Sequence, residues 1–164
     1  MHNATNNPFW SYSLTQYSNP DCETFCLDAQ NTHGLDVNLI LFSAWLATQN
    51  KMLNLDLLPS FIKQHQQGIV TPLRDLRIKM KAKAHSNEQI SNLRDSVKRL
   101  ELQAEQLEQW WLFQHSTTLS ETDKQIDPIA IAKANLKQVY ELGVGSNEGG
   151  GEWIEAAIHH LYPS

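Results

Sequence analysis

Residues 37–48, VNLILFSAWLAT, carry apolar side chains around nearly their whole circumference, and no other stretch limits the fold of this chain as much. A helix with one polar face can lie on a surface, whereas one that is apolar all round has to be enclosed by other elements. Val37, Leu39, Ile40, Leu41, Phe42, Ala44, Trp45 and Leu46 therefore predict a central helix with the rest of the chain packed about it. The longest apolar run, Leu39 to Ala47 around Ser43, falls well short of the roughly 20 residues that a membrane crossing needs.

The approach to that helix is a corner. Cys22, Phe25, Cys26 and Ala29 step by three and four toward His33. Gly34 supplies a left-handed stop, and Asp36 is placed to cap the next helix. His33, Asp36 and Asn38 thus fall within six residues. The corner accounts for the first two. Asn38 is a polar side chain at the start of an apolar helix, and it requires a partner.

No run shows the strict alternation of a half-buried strand, and every segment reads as helix. Asn7-Pro8 and Asn19-Pro20 each open one, the first with Trp10, Leu14 and Tyr17 on one face. A further helix is expected from about Asp56 to Gln67, carrying Phe61, Ile62 and His65 and closed by Gly68. Thr71-Pro72 opens the next, and Ser86 with Gln89 reads as a capping box for a long helix over 87–115. Along it, Ile90, Leu93, Val97, Leu100, Ala104, Leu107 and Trp111 alternate steps of three and four, a seam that must lie against a helix of this chain or of a second copy. Asp127-Pro128 starts a helix stopped by Gly143. The expectation is an all-α, single-domain bundle of about seven helices, with 1–142 as the helical domain, 143–151 as a glycine-rich linker and 152–164 as a short C-terminal helix.

Composition narrows function by subtraction. A length of 164 residues suits one domain, and 41% apolar with 19% charged residues excludes a disordered chain. "MHNATNNPFW" lacks a basic segment followed by an apolar one, so the expected address is the cytoplasm. A formal charge of −5 argues against direct nucleic-acid binding by the whole chain. Cys22, Cys26, His33 and Asp36 could ligate a metal, but both cysteines sit on an apolar stripe and no second Cys pair completes a zinc pattern. Glu121, Asp123 and Asp127 lie in a polar loop with no facing cluster, and the glycines of 143–151 lack the Lys-Ser/Thr of a phosphate loop. No catalytic set, metal or cofactor is therefore expected.

Two features remain that a partner could use. Arg74, Arg77 and Lys81 share a helix face, which either meets an acidic partner or pairs with Glu101, Glu105 and Glu108 of the long helix. Trp110 and Trp111 are adjacent and cannot both face one seam. The leading expectation is a non-enzymatic cytosolic interaction or regulatory protein that contacts a protein or nucleoprotein through this basic face and these aromatics, with a homodimer through the 90–111 seam as a further possibility. The alternative is a small-molecule-binding protein or an enzyme acting on an anionic substrate near the His33–Asp36 corner, where Asn38 and Arg74 or Arg77 converge.

"NPFWSYSLTQYSNPDCETFCLDAQNTHGLDVNLILFSAWLA", followed by "VTPLRDLRIKMK", resembles a small uncharacterised family of gammaproteobacterial proteins known as a domain of unknown function. The resemblance runs from Asn7 to about Trp111 and rests on Phe9-Trp10 with Ser13-Leu14, on His33 through Asn38, and on Pro72-Leu73-Arg74 with Arg77 and Lys81. It implies an all-helical bacterial cytosolic protein and brings no activity with it.

Overall fold

The capping side chains set the starts of most elements. A computed structural model describes residues 4–123, 125–146 and 149–162. In it the chain forms α1 (Pro8–Tyr17), α2 (Pro20–His33), α3 (Val37–Thr48), α4 (Ser60–His65), α5 (Thr71–Ala84), α6 (Glu88–Ser116), α7 (Pro128–Val144) and α8 (Gly150–Leu161). Asn7, Asn19, Asp36 and Asp127 each accept a backbone N–H from the first turn that follows, as their positions before α1, α2, α3 and α7 predict. Gly34 ends α2 at φ 65°, the left-handed stop expected of it. The domain is all-α, and among the described residues no helix is long and apolar enough to cross a membrane.

Three boundaries differ from expectation. Asn87, not Ser86, caps α6: its Oδ1 accepts from Ile90 N at 3.1 Å, while Ser86 Oγ turns back toward Lys83 O. Gly68 stops nothing. After α4 the chain makes a π turn over Gln66–Val70 and runs directly into α5, so the two helices form one rod and the described residues form seven helical rods. Pro72 offers no N–H and its ring crowds the carbonyl four residues back, so a wider turn relieves at that point what would break an α-helix. At the other end of the chain, Gly143 and Val144 complete α7, and Gly150 and Gly151 form the first turn of α8. The expected linker is thus shortened from both sides, and its residues 147–148 lie outside the described set.

Enclosure of α3 is complete: every residue from Val37 to Ala47 is buried. Phe9 of α1 meets Phe42 edge-on at 5.3 Å and Trp45 at 5.4 Å. From α7, the fully buried Asn135 accepts from Leu53 N and donates to Ser43 O and Lys51 O, which pins the turn after α3. Trp153 of α8 lies between Phe25 of α2 and Tyr140 of α7, at 5.5 and 5.3 Å, and Tyr162 Oη donates to Ala44 O. The C-terminal helix is therefore docked on the core.

Within this chain the long helix buries Val97 and Ala104 of the expected seam but not its leucines. Its buried row is Val97, Glu101, Ala104, Glu108 and Leu112. Leu93, Leu100 and Leu107, assigned by their periodicity to the seam, are 58%, 53% and 37% exposed. Two buried carboxylates replace the leucines because each has a polar partner on a neighbouring helix. α5 and α6 run antiparallel, with Arg77 paired to Glu101 and Arg74 to Glu105.

Candidate functional site

The partner that Asn38 requires lies on α6. Asp36 caps α3 by accepting from Asn38 N at 2.9 Å, which fixes the first turn and directs the Asn38 side chain toward the long helix. There Asn38 Nδ2 donates to Glu108 Oε2 at 3.0 Å, and its Oδ1 accepts from Gln109 Nε2 at 2.8 Å. The accepting oxygen of Glu108 sets the direction of the whole chain of bonds. Because Glu108 Oε2 accepts, Asn38 must present its amide nitrogen to Glu108 and its oxygen to Gln109. Gln109 must then present its nitrogen, which leaves Gln109 Oε1 with no hydrogen bond inside the protein.

Glu108 is fully buried. Burial raises its carboxyl well above the usual range, the Asp36 charge and a hydrogen bond with Asp36 raise it further, and the Asn38 amide opposes them. Burial and the neighbouring acid both favour the neutral form of Glu108. Asp36 therefore serves twice, as the α3 cap and as the other half of a carboxyl pair.

A cavity lies on each side of this cluster. One, of about 200 Å³, sits under α1 and is lined by Trp10, Ser13, Tyr17, Asn38, Arg74 and Gln109 among others. The second, of about 420 Å³, is lined by Asp36, Glu108, Ser60, Lys63, Gln66 and Gly143 among others. Ser13 Oγ, on a residue 4% exposed, makes no hydrogen bond inside the protein, as is true of Gln109 Oε1 on a residue 5% exposed. Both belong to the wall of the first cavity. Buried polar atoms without partners are rare in folded proteins, and two on one wall mark that wall as unusual.

Of the residues singled out in the sequence, only some come together. Asn38 and Arg74 line the first cavity and Asp36 the second, while His33 lines neither and lies with its ring 6.2 Å from Tyr140. Arg74 Nη2 binds Glu105 at 2.9 Å and its Nε lies 3.5 Å from Glu101; Arg77 holds Glu101 through both Nε and Nη2. Burial raises the Glu105 carboxyl, opposed by Arg74, and the Glu101 hydrogen bond raises Arg77. Lys81, one turn beyond, is exposed. Trp111 meets Phe61 edge-on at 5.0 Å and His65 at 4.9 Å, and Trp110 lies 5.8 Å from Phe113. His65 Nε2 lies 2.9 Å from Ala104 O, so it carries the ring proton.

Cys22 and Cys26 are fully buried. Among the described residues, no three His, Cys, Asp or Glu side chains are grouped so as to hold a metal ion.

Sequence reasoning did not single out Gln109, named Ser13 only within the motif of the family resemblance, and offered Glu108 as a partner for the basic helix. One signal was available. Glu101 and Glu108 recur at the apolar spacing of Val97, Ala104 and Leu112, which marks them as interior carboxylates in need of interior partners.

Residues 8–112, which include the whole cluster and both cysteines, match the model of a family described as "Protein of unknown function (DUF2390)". No curated protein and no solved structure matches the chain.

Proposed function

The chain belongs to the DUF2390 family, and we propose that it is a cytoplasmic small-molecule-binding protein whose site is the cavity under α1. One observation carries this reading: Ser13 Oγ and Gln109 Oε1, both buried and both without a protein partner, belong to two residues that line that cavity. A concave, largely apolar space with a few convergent polar groups is the usual form of a ligand site. The free thiols of Cys22 and Cys26 fit a reducing compartment.

The test is a fragment screen by NMR that follows the Trp10 indole N–H, repeated on Leu102→Trp. Leu102 lines the cavity but is 47% exposed, so a larger ring there plugs the space and leaves the core intact. Saturable shifts at Trp10 that vanish in Leu102→Trp support the reading. Fragments that never reach Trp10, or that bind the plugged variant equally well, refute it.

A second reading keeps the chain as an interaction or regulatory protein, and the exposed row Leu93, Leu100 and Leu107 on α6 favours it. Arg74 and Arg77 are engaged by Glu101 and Glu105, so the row of leucines, with Lys81 beside α6 on the neighbouring helix, would carry the contact. Sedimentation of wild type against Leu100→Glu is the check. A dimer that becomes a folded monomer supports self-association, and a wild-type monomer removes the homodimer.

A further inference from the structure

From the polarity of the cavity wall under α1 we infer the class of its ligand: a small uncharged aromatic heterocycle that donates an N–H to Gln109 Oε1 and exchanges a hydrogen bond with Ser13 Oγ. The inference rests on the proposal that this cavity is a ligand site.

Each property follows from a named group. The need for a donor follows from the chain Glu108–Asn38–Gln109, in which each amide is oriented by the one before it. Gln109 ends that chain with an oxygen, and an amide oxygen only accepts. Ser13 can both donate and accept, so it suits a ligand that carries a carbonyl or ring nitrogen next to its N–H.

Absence of net charge follows from the rim. Arg74 is the cation of this wall, but Glu105 and Glu101 already engage it, and Glu101 engages Arg77 as well. Two guanidinium groups facing two carboxylates leave no positive field for an anion. A carboxylate ligand would also have to turn one oxygen toward Gln109 Oε1, acceptor against acceptor. A cation would meet Arg74 itself.

Aromatic character and size follow from the remaining wall. Trp10 and Tyr17 stand seven residues apart on α1, hence on one side of that helix, with Leu41 and Leu102 contributing from α3 and α6. Flat apolar rings favour a flat partner, through offset or edge-on packing. A space of about 200 Å³ is below the usual range for drug-sized ligands, about 300–1,000 Å³, and matches a single or fused ring.

The decisive experiment titrates pyridone, adenine, benzoate and toluene into the full chain, following the Trp10 indole N–H and the Gln109 side-chain amide by NMR. Pyridone and adenine are expected to bind saturably, with benzoate and toluene weaker by ten-fold or more. Ser13→Ala and Gln109→Leu are each expected to weaken pyridone about ten-fold, the effect of one lost hydrogen bond. Ser13→Ala keeps the comparison valid if Gln109→Leu fails to fold.

Benzoate binding as well as pyridone does, or toluene equal to both, overturns the ligand class while the cavity remains a ligand site. Unchanged pyridone affinity in Ser13→Ala and in a folded Gln109→Leu also overturns it. If none of the probes, and no fragment from the broader screen, moves Trp10, the class and the site fall together.

Discussion

Asn38 Nδ2 donates to Glu108 Oε2 at 3.0 Å, joining the first turn of the central helix to the middle of the longest one across 70 positions of sequence. The bond lies in the interior, with Glu108 fully buried. Its energetic weight therefore comes less from what it adds than from what its loss would leave unpaired.

Asn38→Leu removes the partner of both Glu108 Oε2 and Gln109 Nε2. Each stranded polar group costs about 1–3 kcal/mol, so the variant is expected to lose about 3 kcal/mol in total. Urea denaturation followed by tryptophan fluorescence measures this. A loss below about 1 kcal/mol would mean that water replaces Asn38 without penalty.

Glu108→Gln should change how stability depends on pH. Burial raises the folded-state carboxyl, so the native protein holds this proton more tightly than the unfolded chain does. Stability from this group is then fully present below the unfolded value of about 4.3 and is lost as pH rises through the folded value. Glutamine at this position keeps an oxygen for Asn38 and a donor for Asp36, and it does not titrate. The melting temperature of Glu108→Gln should therefore gain on wild type as pH rises above about 4.3 and level off once pH passes the folded value. A constant offset across that range would show that Glu108 ionises normally.

Glu101 anchors two arginines from a side chain 7% exposed. Glu101→Ala leaves Arg74 and Arg77 facing a partly buried seam and is expected to cost about 3 kcal/mol, as when one member of a buried pair is removed. The double variant Glu101→Leu/Arg77→Leu should recover most of that loss, since an apolar pair carries no desolvation penalty. Urea midpoints of the single and double variants measure the coupling. Additive losses would show that the pair contributes nothing together. Lys81→Glu, by contrast, should leave stability within about 0.5 kcal/mol of wild type.

Gly68→Ala should stabilise the protein. Gly68 lies inside the π turn with no positive φ, and an added Cβ meets nothing within 4 Å. Reducing the freedom of the unfolded chain at such a position gains about 0.4–1 kcal/mol. A fall in melting temperature instead would show that the turn requires glycine.

The opening prediction of a central helix rested on residues 37–48 alone, and it held because an all-apolar surface has one stable environment. Most helix starts were legible for a similar reason: Asn-Pro and Asp-Pro pairs and Gly34 act through backbone geometry within a few residues. The family relationship could likewise be read from residues 7–111. Where several local readings were open, sequence reasoning went astray. Gly68 spells a stop, but the chain passes through it in a π turn and enters α5 at Thr71-Pro72 without a break. On α6 itself, counting apolar residues put Leu93, Leu100 and Leu107 on a seam against a helix of this chain or of a second copy, and within this chain they are exposed. Burial instead chose the row with Glu101 and Glu108, because Arg74, Arg77 and Asn38 stood opposite to receive them.

That difference marks the division between the two kinds of information. Capping, turn chemistry and amphipathic pattern are short-range, so the order of the helices and most of their starts were decided by the sequence alone. Whether a buried carboxylate is tolerated depends on a partner far away in the chain, and only the tertiary structure supplies it. Asn38 could be recognised from sequence as a residue in need of a partner. That its partners are Glu108 and Gln109, and that the Gln109 amide oxygen is thereby left unpaired on a residue lining the cavity under α1, was decided by the packing of α3 on α6.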